Sequence, residues 1–440
     1  MKKNQISRRK FIKKSAGAAL GLISAPYFIP SNVLGLNNAI SPSNKITLGC
    51  IGIGWQGGSN LQAFLGEKDA QVVALCDIDK KHLEEARQKV ELSYGKSDLA
   101  LYHDFREILD RKDIDAVVIS TPDHWHAIPA VEAAKAGKDI FCEKPLSHTF
   151  AEGRIMADAV KRYGSIWQTG SWQRSIPNFR FACELVRNGR IGKVHTVEIG
   201  LPAGHADFEG TKGQEAPMTP PEALDYNRWL GPAPYAPYAP ARVHKNWRWN
   251  LAYGGGQLMD WIGHHCDIAH WGLDLDKTGP IEVEGVGEYP KTGLWNTATK
   301  YRVDAKYSGD LKFIIAGGHN DVCEGRSGTK WIGENGWVFV GRGEIDASDK
   351  SLLTEKLDPG ETHLYRSPGH MREFLDCIKS RTETITPCET AHRSATPGHL
   401  GQIAMLTGHK LKFDPVTEKI LNDDTASKML SRSYRSPWHL

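Results

Sequence analysis

The chain has 440 residues, 24% of them charged, and a formal net charge of +3. That charge falls to about −4 once residues 1–44, which carry seven Lys or Arg and no acid, are set aside. With basic residues interspersed among acids, no nucleic-acid footprint remains, and the length allows two domains with substantial cores.

In chain order the first signal is Ser7-Arg8-Arg9-Lys10-Phe11-Ile12, followed by an Ala/Gly-rich apolar run over 16–29. Paired arginines ahead of such a run read as a twin-arginine export signal, so residues 1–44 are expected to be a signal peptide and linker. Gly17, Gly21, Pro26 and Pro30 interrupt the run, which is too short to span a bilayer comfortably. The expectation is a protein exported already folded by the twin-arginine machinery to the periplasm, with cleavage between Ser31 and Ser43.

Next comes an apolar strand, Ile46 to Ile51, that empties into a glycine-rich turn. Gly52, Gly54 and Gly57 stand at G-x-G-x-x-G spacing, with Trp55 and Gln56 between them. Gly52 serves the tight turn, Gly54 lets backbone approach a pyrophosphate, and Gly57 lets the following helix pack closely. A second strand, Gln71 to Cys76, ends at Asp77, placed to accept hydrogen bonds from the ribose hydroxyls of a dinucleotide. An anionic Asp77 repels a 2′-phosphate, so NAD is expected over NADP.

Helices over 81–91 and 105–110, a strand over 115–120, the segment Thr121-Pro122-Asp123-His124-Trp125-His126, a helix over 127–136 and a strand over 139–142 continue the alternation. This predicts a doubly wound parallel sheet, a Rossmann domain over 45–168, whose strand ends at 52–57, 121–126 and 143–145 converge on one crevice. From Thr169 the strands lengthen and alternate (194–201, 281–289, 301–307, 311–316), predicting a C-terminal α+β domain over 169–440 with a mostly antiparallel sheet. Its Pro-, Tyr- and Trp-rich stretch at 202–250 reads as an ordered excursion that covers an active site or meets a neighbouring subunit. Thirteen tryptophans lean toward a carbohydrate ligand, since indoles stack on sugars. Eight cysteines show no C-x-x-C pair, and several sit inside apolar strands as small hydrophobes.

Two distant segments carry the chemistry. Glu143-Lys144-Pro145 ends a strand, and its Lys-Pro bond is a candidate for the cis form; a lysine there can stabilise a developing alkoxide. Gly254-Gly255-Gly256 opens a helix on which Asp260 and His264, at i,i+4, share one face. A carboxylate one turn away would orient the imidazole and raise its basicity, giving a general base. His265 stands as an alternative base, and Gln173 and Arg174 as cofactor or substrate contacts, or as a structural ion pair. A zinc site at Asp260 and His264 is disfavoured because the usual pair of i,i+4 histidines is missing.

The joint order of export signal, glycine turn, Asp77, Thr-Pro-Asp-x-x-His at 121–126, Glu-Lys-Pro at 143–145 and Gly-Gly-Gly with Asp260 and His264 resembles the Gfo/Idh/MocA oxidoreductases. The resemblance covers nearly the whole chain beyond residue 44. It implies NAD(P)-dependent chemistry at a secondary hydroxyl of a sugar, cyclitol or glycoside. Lys144, Asp260 and His264 map onto the catalytic Lys, Asp and His; Thr121, Pro122, His126 and Glu143 map onto cofactor-side positions. Asp123 departs from the Asn of many relatives and adds a negative charge there. The implied activity is sugar oxidation with tightly bound NAD, in a homo-oligomer. Two alternatives stay open: a redox-neutral NAD-dependent glycoside hydrolase working by oxidation, elimination and reduction, and a non-catalytic sugar-binding protein.

Overall fold

A computed structural model describes residues 40, 41, 44–95 and 98–440; the export signal read at 7–29 lies outside them. The first sheet holds β1 (Ile46–Ile51), β2 (Ala70–Cys76), β3 (Ala100–Tyr102), β4 (Ala116–Ile119), β5 (Asp139–Cys142) and β6 (Trp167–Thr169). All pair in parallel, in the order β3-β2-β1-β4-β5-β6. Every residue of β4 and β5 is buried, as expected where helices cover both faces. Along β4 the pleat sends Ala116 and Val118 to a core with Leu61, Phe64 and Leu83, while Val117 and Ile119 face Val131, Ala134 and Met156. Strand order reverses between β1 and β4, which opens a crevice at their carboxyl ends.

The helices start where their caps dictate. Asp79 accepts from Lys81 N ahead of Lys80–Tyr94, and Thr149 and Glu152 form a reciprocal capping box ahead of Phe150–Tyr163.

Nine strands make the second sheet: β7 (Val194–Leu201), β8 (Glu282–Glu288), β9 (Lys300–Lys306), β10 (Lys312–Gly317), β11 (Gly328–Gly333), β12 (Gly336–Gly341), β13 (Glu344–Ala347), β14 (Leu411–Asp414) and β15 (Lys419–Ile420). Its pairs are antiparallel except β7 with β10. In β9, Tyr301, Val303 and Ala305 are buried while Lys300, Arg302, Asp304 and Lys306 stay half-exposed. The buried face carries the helices Pro177–Arg187, Gly256–Leu273 and Cys388–Thr407. Ahead of the last of these helices the chain visits the first sheet, where Phe374, Leu375 and Ile378 join Leu48, Phe64 and Phe141 in one core. All eight cysteines are buried and unpaired.

The excursion at 202–250 is ordered and has an aromatic core of Tyr226, Trp229, Tyr238 and Trp247, completed by Tyr253 just beyond it. It is anchored beyond β2 by Lys80 N to Ala223 O and Asp225 N to Ile78 O.

Candidate active site

Gly52 adopts φ +76°, and a Cβ on it would lie 2.9 Å from Thr121 N. At Gly57 a Cβ would lie 2.0 Å from Gly52 O, so the turn and its helix touch directly. The helix Trp55–Leu65 begins at Gly54 with no side-chain cap and no acid in its first turn. Its leading N–H groups are therefore free for an anion.

Asp77 closes β2 and takes Ile53 N on Oδ2 at 2.8 Å and Asp79 N on Oδ1 at 2.9 Å. Burial pushes its carboxyl up, while the nearby His82 and these two donors pull it back. Each oxygen retains acceptor capacity toward the cavity that Asp77 lines.

That cavity measures about 620 Å³ and runs from the glycine turn to Lys144 and Asp260. Gly52, Gly54, Trp55, Gln56, Thr121, Pro122 and Glu143 line it. The excursion supplies another wall through Glu209, His244, Lys245, Trp247 and Arg248. Arg248 and Lys245 each lie 5.0 Å over the Trp55 ring, and Phe208 packs 5.6 Å from it. At the far end His244 Nε2 comes within 3.9 Å of Asp79 Oδ2. An uncapped helix start, a side-chain-free turn and an acid at the end of β2 fit a dinucleotide, with the pyrophosphate at the helix and the ribose at Asp77.

Glu143 is buried, accepting from Asn60 Nδ2 at 2.9 Å and Gln56 Nε2 at 3.4 Å. Asn60, one turn after Gln56, also reaches Ser120 Oγ at 3.0 Å. His126 lies behind the cavity wall, its ring nitrogens each 2.8 Å from the carbonyl oxygens of Pro145 and Thr121. Burial pulls it down to about 4; the ring packs between the Thr121 loop and the Lys144 loop, and in its neutral form its single N–H donates to one of the two carbonyls. The Lys144–Pro145 bond is cis. Asp123 is also buried, and its burial raises the carboxyl well above the ordinary range.

Lys144 Nζ donates to Asp260 Oδ1 at 3.0 Å and to Asp260 O at 2.9 Å. Arg248 Nε reaches the same Oδ1 at 3.2 Å. Burial pushes Asp260 up, but the two cations outweigh it and hold the carboxyl at about 2. Gly263 lets the helix approach: a Cβ there would meet Lys144 Cβ at 3.2 Å.

His264, the next residue, packs its ring 5.7 Å from Trp261 and 6.2 Å from Trp172. Its buried Nδ1 has no hydrogen-bond partner among the described residues. Burial, followed by the charges of Lys144 and Arg342, lowers its pKa well below 6.5.

Three readings from the sequence are corrected here. Asp260 does not orient His264 or raise its basicity, because the carboxylate is engaged by Lys144 and Arg248. His265 is no alternative base: fully buried, it stacks on Trp261 and lies 3.4 Å from Ser327 Oγ, and burial brings it down to about 3. Arg174 is a structural cation, buried in paired hydrogen bonds to Asp267 and Asp276, and neither it nor Gln173 lines the cavity. Gln173 is fully buried, and among the described residues neither side-chain amide atom has a hydrogen-bond partner. Sequence reasoning missed Arg248 and Asn60; a position one turn after Gln56 was a signal for Asn60, and none pointed to Arg248.

A dinucleotide cleft lined by a lysine and by the aspartate that pairs with it, with His264 one turn further along the helix of that aspartate, defines an NAD-dependent oxidoreductase. The chain belongs to the Gfo/Idh/MocA oxidoreductase family: residues 46–171 match its NAD-binding Rossmann fold and residues 179–440 its C-terminal alpha/beta domain. It is similar to myo-inositol 2-dehydrogenase of Thermotoga maritima, 25% identical over 371 residues, which are 83% of this chain and 95% of that protein. It is also similar to an alpha-N-acetylgalactosaminidase of Shewanella oneidensis, 31% identical over 180 residues, 36% of this chain and only 38% of that protein. Among solved structures, an aldose-aldose oxidoreductase from Caulobacter crescentus shares the fold, with a TM-score of 0.59 and 19% identity over 84% of this chain and all of that one.

Proposed function

We propose that the protein oxidises a secondary hydroxyl of a sugar or glycoside, with Lys144 and His264 managing the proton. The observation that carries this reading is the Lys144–Asp260 pair inside the same cavity as the glycine turn. Of the three N–H donors on Lys144, Asp260 takes two, leaving one for the substrate oxygen. Lys144 would hold the hydroxyl and stabilise the alkoxide as it develops. His264, kept neutral by burial and neighbouring cations, accepts the proton. Bound NAD supplies the hydride acceptor.

Export by the twin-arginine route adds a constraint, since free NAD is scarce outside the cytoplasm. The cofactor travels bound, stays bound, and is recycled by a second carbohydrate in a ping-pong exchange. The wall formed by residues 209 and 244–248 supports retention, and the likeness to an aldose-aldose oxidoreductase accords with exchange. The less covered face of the nine-stranded sheet would pair subunits into a homo-oligomer.

The alpha-N-acetylgalactosaminidase relative favours a second reading, a redox-neutral cycle of oxidation, elimination and reduction that cleaves a glycoside. It uses the same lysine and base. Mass spectrometry of the nucleotide released on denaturing the purified protein, followed by incubation with sugars and glycosides, tests both. A stable keto sugar supports the dehydrogenase, and a cleaved glycosidic bond without keto sugar supports the hydrolase. Absence of any bound or binding nucleotide overturns both.

A further inference from the structure

Arg342 sits on the turn between β12 and β13, where its guanidinium lies 4.5 Å over the ring of Trp172 and 4.6 Å over that of Trp261. It is surface-accessible, and among the described residues it makes no hydrogen bond and no ion pair. Two indoles thus hold a planar, charged fork whose five N–H donors have no protein acceptor. The same two tryptophans flank His264, so the fork and the proposed base belong to one cluster.

The charge around that cluster is lopsided. Lys144, Arg248 and Arg342 bring three cations, and Asp260 is hydrogen-bonded by the first two and lies within electrostatic reach of the third. Asp123 and Glu143, which face Lys144, are buried, and burial raises both carboxyls. A neutral sugar would leave this excess unanswered, and a planar carboxylate matches the edge of a guanidinium with two parallel hydrogen bonds.

We propose that the substrate is an anionic sugar, a uronic acid or uronoside, and that Arg342 takes its carboxylate while Trp172 and Trp261 present the guanidinium. This rests on the sugar-oxidoreductase reading and names its substrate class. A carboxylate on Arg342 would bring the sugar ring alongside His264, with its hydroxyls directed toward Lys144. Specificity for the acid then comes from Arg342, and the chemistry from the Lys144 side.

The test is calorimetric titration of the full-length, NAD-loaded protein with pairs of methyl glycosides, each a uronide and its neutral hexoside, in gluco, galacto and manno configuration. In at least one pair the uronide is expected to bind roughly tenfold or more tighter, the gain of a charge-assisted hydrogen-bonded pair. Arg342→Gln removes the guanidinium together with its contacts on Trp172 and Trp261 and is expected to erase that preference, the uronide then binding no tighter than its neutral partner. Arg342→Lys, which keeps the charge but loses the fork, should restore part of it. The proposal is overturned if no uronide outbinds its neutral partner, or if Arg342→Gln keeps the preference. The underlying reading fails separately, if saturating glycoside of either kind yields neither a change in nicotinamide absorbance nor cleavage.

Discussion

The Lys144 ammonium lies 3.0 Å from Asp260 Oδ1 although 116 residues separate the two in the chain. This one contact joins the end of β5 to the helix Gly256–Leu273 and sets the direction of the amine. Lys144→Ala should lower turnover by roughly 10²- to 10⁴-fold, the range for a positioned acid-base group. NAD affinity should be nearly unchanged, because the turn, the helix start and Asp77 are untouched. Nicotinamide absorbance kinetics and a separate NAD titration check the two halves.

The pH profile follows from the sign of the His264 shift. Its pKa lies well below 6.5, so the ring remains a neutral proton acceptor as pH falls through the ordinary imidazole range. The acid limb of kcat/KM should accordingly fall below that range. In Lys144→Ala the residual activity should show its acid limb moved upward, since one of the depressing charges is gone. An acid limb near 6.5 in the wild type would contradict the assignment.

Gly57→Ala places a methyl 2.0 Å from the Gly52 carbonyl oxygen, which neither backbone can avoid without moving. A stability loss of about 1–3 kcal/mol is expected, together with weakened NAD binding, because the displaced turn is the pyrophosphate cradle. Urea unfolding with and without NAD measures both effects.

Arg248 bridges two functions, holding Asp260 and covering Trp55. Arg248→Ala should speed NAD dissociation by roughly threefold to thirtyfold through loss of the cation–π contact. The same variant should raise the Asp260 pKa. Stopped-flow displacement of bound NADH reads the first effect.

Arg174 offers the opposite pattern. Removing its guanidinium in Arg174→Met strands the buried Asp267 carboxylate and should cost about 3–5 kcal/mol of stability. At a temperature where the variant is folded, its NAD affinity should match the wild type. A specific loss of NAD binding would restore the cofactor-contact reading.

The Rossmann half was legible because its signals are local. Glycines at 52, 54 and 57, apolar runs of strand length and the acid at 77 each declare a backbone conformation through neighbours a few residues away. The strands β3 and β6 escaped notice because three residues carry no readable period. The hairpin β11–β12 turns through Gly336 at φ +145° and was likewise unread.

By itself the sequence determined which residues share a helix face, which strands alternate, and where the chain must turn. Helical period correctly put Asp260 and His264 one turn apart. Which atoms meet that face was a matter for tertiary structure, because period describes one element and says nothing of the groups brought against it. Asp260 went to Lys144 and Arg248, His265 went into the core, Arg174 found Asp267, and Arg342, among the described residues, formed no ion pair. Each outcome depends on long-range packing and on the cost of burying charge unpaired, a cost that exists only once the two sheets are folded.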